Sequence, residues 1–86
     1  MNIDQAEQLI RTVLHQVAPD ADLDGLAPDD DLRETLELDS LDFLQVIELL
    51  SERSAIRIDE EDYPHLSTMD AAVRWLSAAA ASAPRG

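Results

Sequence analysis

Apolar residues recur at spacings of three and four over residues 3–17, where Ile3, Ala6, Ile10, Val13, Leu14 and Val17 fall on one face of a helix. Pro19 ends it. Residues 18–39 lose the period: they hold Pro19, Gly25, Pro28 and eight acids before Asp39, punctuated by Leu23, Leu26, Leu32, Leu36 and Leu38. A connection of about 20 residues is longer than small domains normally use, so a structured loop with a role is predicted, with one short helical turn at 30–35. The period returns in Phe43, Val46, Ile47 and Leu50, the stripe of a helix that starts at Asp39-Ser40-Leu41-Asp42 and runs to about Arg53. Asp39 can cap it, and Asp42 stands three residues on, as in a capping box. Leu41 and Leu44 fall on another face, which leaves them partly exposed beside Ser40.

Ala55-Ile56-Arg57-Ile58 alternates like a strand, but the chain offers no strand to pair with it, and an extended connector is the better reading. A helical turn is predicted at 59–63, closed by Pro64. Ser67 or Thr68 can cap a last helix, with Met69, Ala72, Val73, Leu76 and Ala80 as its stripe. The alanine run 78–81 reads as its fading end, and 83–86, with Pro84 and Gly86, as a frayed tail. These elements predict an all-α bundle of three main helices plus one short helix, with a long first loop, as a single domain over residues 1–82.

Composition narrows what such a bundle does. The 86 residues carry 19 Asp and Glu against 6 Lys and Arg, a formal net charge of −13, yet 45% are hydrophobic. That hydrophobic fraction is too high for a disordered acidic tail. The charge repels phosphate backbones and anionic bilayers, so neither nucleic acid nor membrane is an expected partner, and a basic protein or a metal ion suits the charge better than either. Folding a chain of this size buries roughly 60–65% of its extended surface, leaving little room for an internal active site. No Cys is present, which excludes disulfides, thiolate metal sites and a Cys nucleophile. With two glycines there is no Gly-rich phosphate loop, and neither nucleotide binding nor enzymatic activity is expected. The start Met1-Asn2-Ile3-Asp4 lacks the basic and apolar regions of a signal peptide, and no apolar run approaches the roughly 20 residues of a membrane span. A cytoplasmic monomer is the expectation.

Ser40 is the residue with the most chemical promise. A group esterified to its hydroxyl would project into solvent at the positive end of a helix dipole, where an anionic phosphodiester is tolerated. Leu41 and Leu44 offer an apolar landing surface beside it. Asp39, Asp42, Glu48 and Glu52 offer charge to a basic partner.

Around Ser40 the run Leu38-Asp39-Ser40-Leu41-Asp42-Phe43-Leu44 resembles the Asp-Ser-Leu attachment motif of the acyl carrier protein family, the phosphopantetheine-binding domain. The likeness extends upstream through Asp24-Gly25-Leu26 and Asp30-Asp31-Leu32, and downstream through Ile56-Arg57-Ile58, Leu66-Ser67-Thr68-Met69 and Ala71-Ala72-Val73-Arg74-Trp75-Leu76. The resemblance implies a four-helix carrier-protein bundle whose Ser40 bears 4′-phosphopantetheine, transferred from coenzyme A by a phosphopantetheinyl transferase. The arm's thiol would carry an acyl, polyketide or aminoacyl group as a thioester. By the same resemblance Asp39 would help orient the serine and the Mg²⁺-bound coenzyme A in the transferase complex. Leu41, Asp42, Leu44, Glu48 and Glu52 would meet the transferase, the loading enzyme and downstream synthases. Many fatty-acid-synthesis members carry Gly three residues before the serine and an exposed apolar residue eight after it. Here those positions are Glu37 and Glu48, which favours a dedicated carrier in a specialised pathway, with an aminoacyl or peptidyl carrier as the alternative.

A reading of another class comes from Asp20-Ala21-Asp22-Leu23-Asp24-Gly25, which matches the start of an EF-hand calcium loop spanning 20–31. Its position 12 is Asp31, shorter than the usual Glu; position 8 is Ala27; and no second loop exists to pair with it, so no metal site is expected. His15 and His65 lack a constellation. Asp59-Glu60-Glu61-Asp62 reads as acids complementing a helix start. Trp75 lies off its helix's stripe and is expected to be partly buried packing. Residues 20–52 hold 12 acids and one base, Arg33, and so carry −11 of the net −13. The charge is concentrated on the loop and helix around Ser40.

Overall fold

Asn2 begins the first helix in a computed structural model that describes residues 1–82. Its Oδ1 accepts from the Gln5 amide at 2.7 Å while Gln5 Oε1 accepts from the Asn2 amide at 3.0 Å, a reciprocal cap that satisfies two donors left free at a helix start. The helix, α1 (Ile3–Val17), buries Ala6, Ile10, Val13 and Leu14. Ile3, expected on the same stripe, is 51% exposed: burial begins one turn later, at Ala6. The predicted tail at 83–86 lies outside the described residues.

The long acidic loop is anchored from both sides. Leu26, Leu36 and Leu38 bury their side chains in the core. Backbone bonds tie the loop to the far end of the chain: the Leu32 amide donates to Ser67 O at 2.7 Å, the Asp70 amide donates to Pro28 O at 2.9 Å, and Asp31 and Thr68 form an isolated antiparallel bridge. Within the loop sits α2 (Leu32–Thr35), the short turn expected at 30–35, capped by Asp31, whose Oδ1 accepts from the Glu34 amide at 2.9 Å. Glu37 then takes a left-handed backbone, φ 55°, and the Leu38 amide returns to Arg33 O at 2.8 Å.

Helix α3 (Ser40–Ser54) starts at Asp39 and buries Phe43, Val46, Ile47 and Leu50, the predicted stripe. Ala55 ends it in the left-handed region, φ 59°. Residues 56–59 form no strand, in keeping with a connector, and Ile56 is buried while Arg57 is exposed. A 3₁₀-helix follows at Glu60–Leu66 and corrects the expectation that Pro64 closes a turn at 59–63: Pro64 lies inside it. A fixed φ near −65° suits a 3₁₀ turn, and the donor that proline lacks would have faced the exposed Glu61. Pro64 O accepts from the Ser67 hydroxyl at 3.0 Å. Thr68, rather than Ser67, caps α4 (Met69–Ser82), its Oγ1 accepting from the Ala71 amide at 3.1 Å.

Helix α1 packs on both α3 and α4, and the 3₁₀-helix packs on α4. Ile10, Leu14, Leu50, Leu66 and Leu76, each at most 2% exposed, fill the centre. Removing one such side chain from water contributes about 1.5–3 kcal/mol. Trp75 is half-buried against this core, as expected. The result is the all-α bundle the periodicity predicts, and no described helix is long and apolar enough to cross a membrane.

Candidate functional site

The start of α3 is held open by its own cap. The Asp42 amide donates to Asp39 Oδ1 at 2.8 Å and the Asp39 amide donates to Asp42 Oδ2 at 3.5 Å, the box expected from sequence. Both carboxylates therefore bind backbone, and Asp42 is half-buried. Ser40, between them in the first helical position, is exposed.

Ser40 differs from the other serines whose side chains are described. Ser51 Oγ donates to Ile56 O at 2.8 Å, Ser54 Oγ to Leu50 O at 2.5 Å, Ser67 Oγ to Pro64 O, and Ser77 Oγ to Arg74 O at 3.2 Å. Ser40 Oγ only accepts, from Arg33 Nη2 at 3.4 Å. Its proton and a lone pair stay available for chemistry. The Arg33 guanidinium lies over the Phe43 ring, 5.3 Å from its centroid, and Phe43 meets Tyr63 edge to face at 5.7 Å with an interplanar angle of 84°. Arg33, Phe43 and Tyr63 thus form a stack that joins the loop, α3 and the 3₁₀-helix.

That stack forms one side of an open pocket of about 430 Å³ beside Ser40, completed by Asp31, Leu44, Pro64 and Ser67. A second pocket of about 350 Å³ continues along α3, lined by Leu44, Ile47, Glu48, Ser51, Glu52, Ile58 and Tyr63. Leu44 and Tyr63 belong to both. A groove therefore leads away from the serine between α3 and the 3₁₀-helix, apolar beside Ser40 and more polar further on, where Glu48, Ser51 and Glu52 line it.

Of the residues anticipated around Ser40, Leu44 lines the pocket beside it, and Glu48 and Glu52 line the second pocket along α3. Leu41 is 76% exposed, Leu44 41%, and Glu48 and Glu52 are exposed further along α3. Sequence reasoning assigns Phe43 to the core, offers Ser67 only as a helix cap and gives no role to Arg33 or Tyr63. The one available signal was Arg33 itself, a lone base among 12 acids in residues 20–52.

The segment 20–31 does not gather its acids. Asp22 Oδ1 accepts from the Gly25 amide at 3.2 Å, Asp30 Oδ2 from the Ala27 amide at 2.9 Å, and Asp31 caps α2. Among the described residues no three His, Cys, Asp or Glu side chains are placed to hold a metal ion. His15 and His65 are exposed.

A serine ester at Ser40 fits what surrounds it. The oxygen is exposed, a guanidinium faces it, and a pocket opens beside it. Comparison with curated proteins gives no match. A family model described as the phosphopantetheine attachment site matches residues 5–76, a span containing α2, α3 and the 3₁₀-helix entire. Carrier domains of this family interact with phosphopantetheinyl transferases and synthase enzymes. The chain belongs to this acyl-carrier-type family, whose members bear 4′-phosphopantetheine covalently on a serine.

Proposed function

We propose that Ser40 is the attachment serine, and that the protein is an acyl carrier shuttling thioester-bound intermediates between the enzymes of a specialised pathway, without catalysing a reaction itself. The observation that carries this reading is the Ser40 hydroxyl, exposed and donating to no carbonyl, where four other described serines are each committed to one. In the transfer, Ser40 Oγ forms a bond to the β-phosphorus of coenzyme A as the pyrophosphate P–O bond breaks. Adenosine 3′,5′-bisphosphate leaves, and the hydroxyl proton passes to the transferase or to water. The arm supplies a thiol, which this chain lacks for want of any Cys. The chain's own part is to hold Ser40 outward through the Asp39–Asp42 cap and to present Leu41, Asp42, Leu44, Glu48 and Glu52 to partners.

The departures at Glu37 and Glu48 support a dedicated rather than a housekeeping role. Glu48 puts a charge on the partner-facing side of α3. At Glu37, a glycine would meet the left-handed φ of 55° without steric cost, so that change reaches the backbone as well as the surface.

The test is intact mass after incubation with a broad-specificity phosphopantetheinyl transferase, Mg²⁺ and coenzyme A. One arm per chain is expected on the unmutated protein and none on Ser40→Ala. A missing gain in the former, or a gain in the latter, overturns the reading. The mass of whatever remains attached in protein from its native host separates acyl from aminoacyl cargo.

A further inference from the structure

Five arginines lie among the described residues, and three are paired with acids close in sequence: Arg11 with Glu7, Arg57 with Asp59 and Arg74 with Asp70. Arg53 bonds Gln16. Arg33 stands in the most acidic part of the chain, yet among the described residues it makes no ion pair. It is held instead by the Phe43 face and by Ser40 Oγ. A cation that passes over nearby carboxylates for a ring and a hydroxyl retains most of its five N–H donors for a further anion.

Its position is fixed by backbone. Leu32 before it and Leu36 three residues after it are buried, Leu32 N–H is bonded to Ser67 O, and Leu38 N–H returns to Arg33's own carbonyl, which closes the turn that brings Arg33 to Ser40. The 3.4 Å contact is long for a hydrogen bond, so little is lost if the guanidinium turns to a better acceptor. Esterification provides one. The phosphorus is one bond from Oγ, its two non-bridging oxygens are two bonds away, and together they carry one negative charge. Planar guanidinium and phosphate oxygens match as a two-pronged pair.

We infer that Arg33 is a positioning residue which grips the phosphodiester once Ser40 is esterified, and so fixes the direction in which the arm leaves the protein. The inference rests on Ser40 as the attachment point. Without it, the phosphate would have only the helix start for compensation amid carboxylates, and the arm would rotate freely about its ester bonds. With it, the phosphate is held at the Arg33–Phe43 end of the groove.

The test compares the apo and loaded forms of the full chain by nuclear magnetic resonance. On loading, the Arg33 guanidinium nitrogen and proton signals should shift and exchange more slowly, while those of Arg57, exposed and paired with Asp59, stay in place. In the loaded protein, Arg33→Gln should move the ³¹P resonance and sharpen it. Arg33→Lys should recover part of the difference, Arg57→Gln none, and molar salt should bring the unmutated protein toward the Arg33→Gln position. Should Arg33→Gln resist loading, the apo-to-loaded change in the unmutated chain decides alone. A loaded protein whose Arg33 signals do not move overturns the grip and leaves the carrier reading intact. Failure of the unmutated chain to take up any arm overturns both.

Discussion

Asp39 and Asp42 each accept a hydrogen bond from the other's backbone amide, with Ser40 between them. The pair makes the first turn of α3 self-supporting, so the serine needs no contact with the core to be held in place. Both acids are thereby committed in part to structure, although the residue pattern also offers them to partners.

The first prediction concerns this cap. Asp39→Ala removes the acceptor for the Asp42 amide and should cost about 1 kcal/mol. For a domain of this size that lowers Tm by roughly 4–8 °C. Asp39→Ser, which restores a capping oxygen, should recover most of the loss. Thermal unfolding followed by circular dichroism measures both, and an unchanged Tm for Asp39→Ala would show that the box does not stabilise α3.

Helix α3 is also the element that was most legible from sequence. Its cap residues, its buried stripe of Phe43, Val46, Ile47 and Leu50, and the exposure of Leu41 and Leu44 all follow from one helical period, and period is a local property of a chain. What escaped lies outside that period. The proximity of Arg33 to Ser40 depends on Leu32 bonding to Ser67, on the Asp31–Thr68 bridge and on the return of Leu38 to Arg33, and hydrophobic spacing encodes none of these. Pro64 misled because its rule was applied to an α-helix, where it breaks a bond in the ladder. The segment is 3₁₀, and the missing donor sits at the surface.

Two backbone positions predict stabilisation. Ala55 and Glu37 occupy left-handed conformations at φ 59° and 55°, which cost a residue with a Cβ about 1–2 kcal/mol. Glycine relieves that cost but gains roughly 0.4–1 kcal/mol of freedom in the unfolded chain. Ala55→Gly should therefore stabilise by about 0.5–1 kcal/mol, a Tm rise of roughly 2–8 °C. Glu37→Gly should do at least as well, because it also removes one negative charge from an acidic loop. A fall in Tm for both would mean that neither residue is under backbone strain.

The acidic segment 20–31 should not bind calcium in the range used by EF-hands, about 10⁻⁹ to 10⁻³ M. Asp22, Asp30 and Asp31 each turn an oxygen to a nearby backbone amide, and among the described residues no three acidic side chains converge where an ion could sit. Calorimetric titration with calcium chloride should give no saturable heat, with Asp24→Ala indistinguishable from the unmutated protein. A saturable heat lost in Asp24→Ala would revive the calcium reading.

Partner recognition is best tested away from the cap. Asp42→Arg would break the Asp39–Asp42 box as well as reverse a charge, so a slower reaction in that variant would not separate docking from folding. Glu48 and Glu52 are free of this ambiguity: both are exposed, four residues apart on α3, on a helix that also shows Leu41 and Leu44 to solvent. Rim charges of this kind act mainly on association rate, through attraction that salt screens. Reversing both in Glu48→Arg/Glu52→Arg should slow transferase loading at low ionic strength by roughly tenfold, the lower end of what steering supplies. The same variant should keep its Tm within a few degrees, since neither side chain is buried. Raising ionic strength to about 1 M shortens the screening length to about 3 Å and should bring the two proteins to the same rate. If the double variant loads as fast as the unmutated chain at low salt, partners approach Ser40 from the loop side, where Asp31, Glu34 and Glu37 are also exposed.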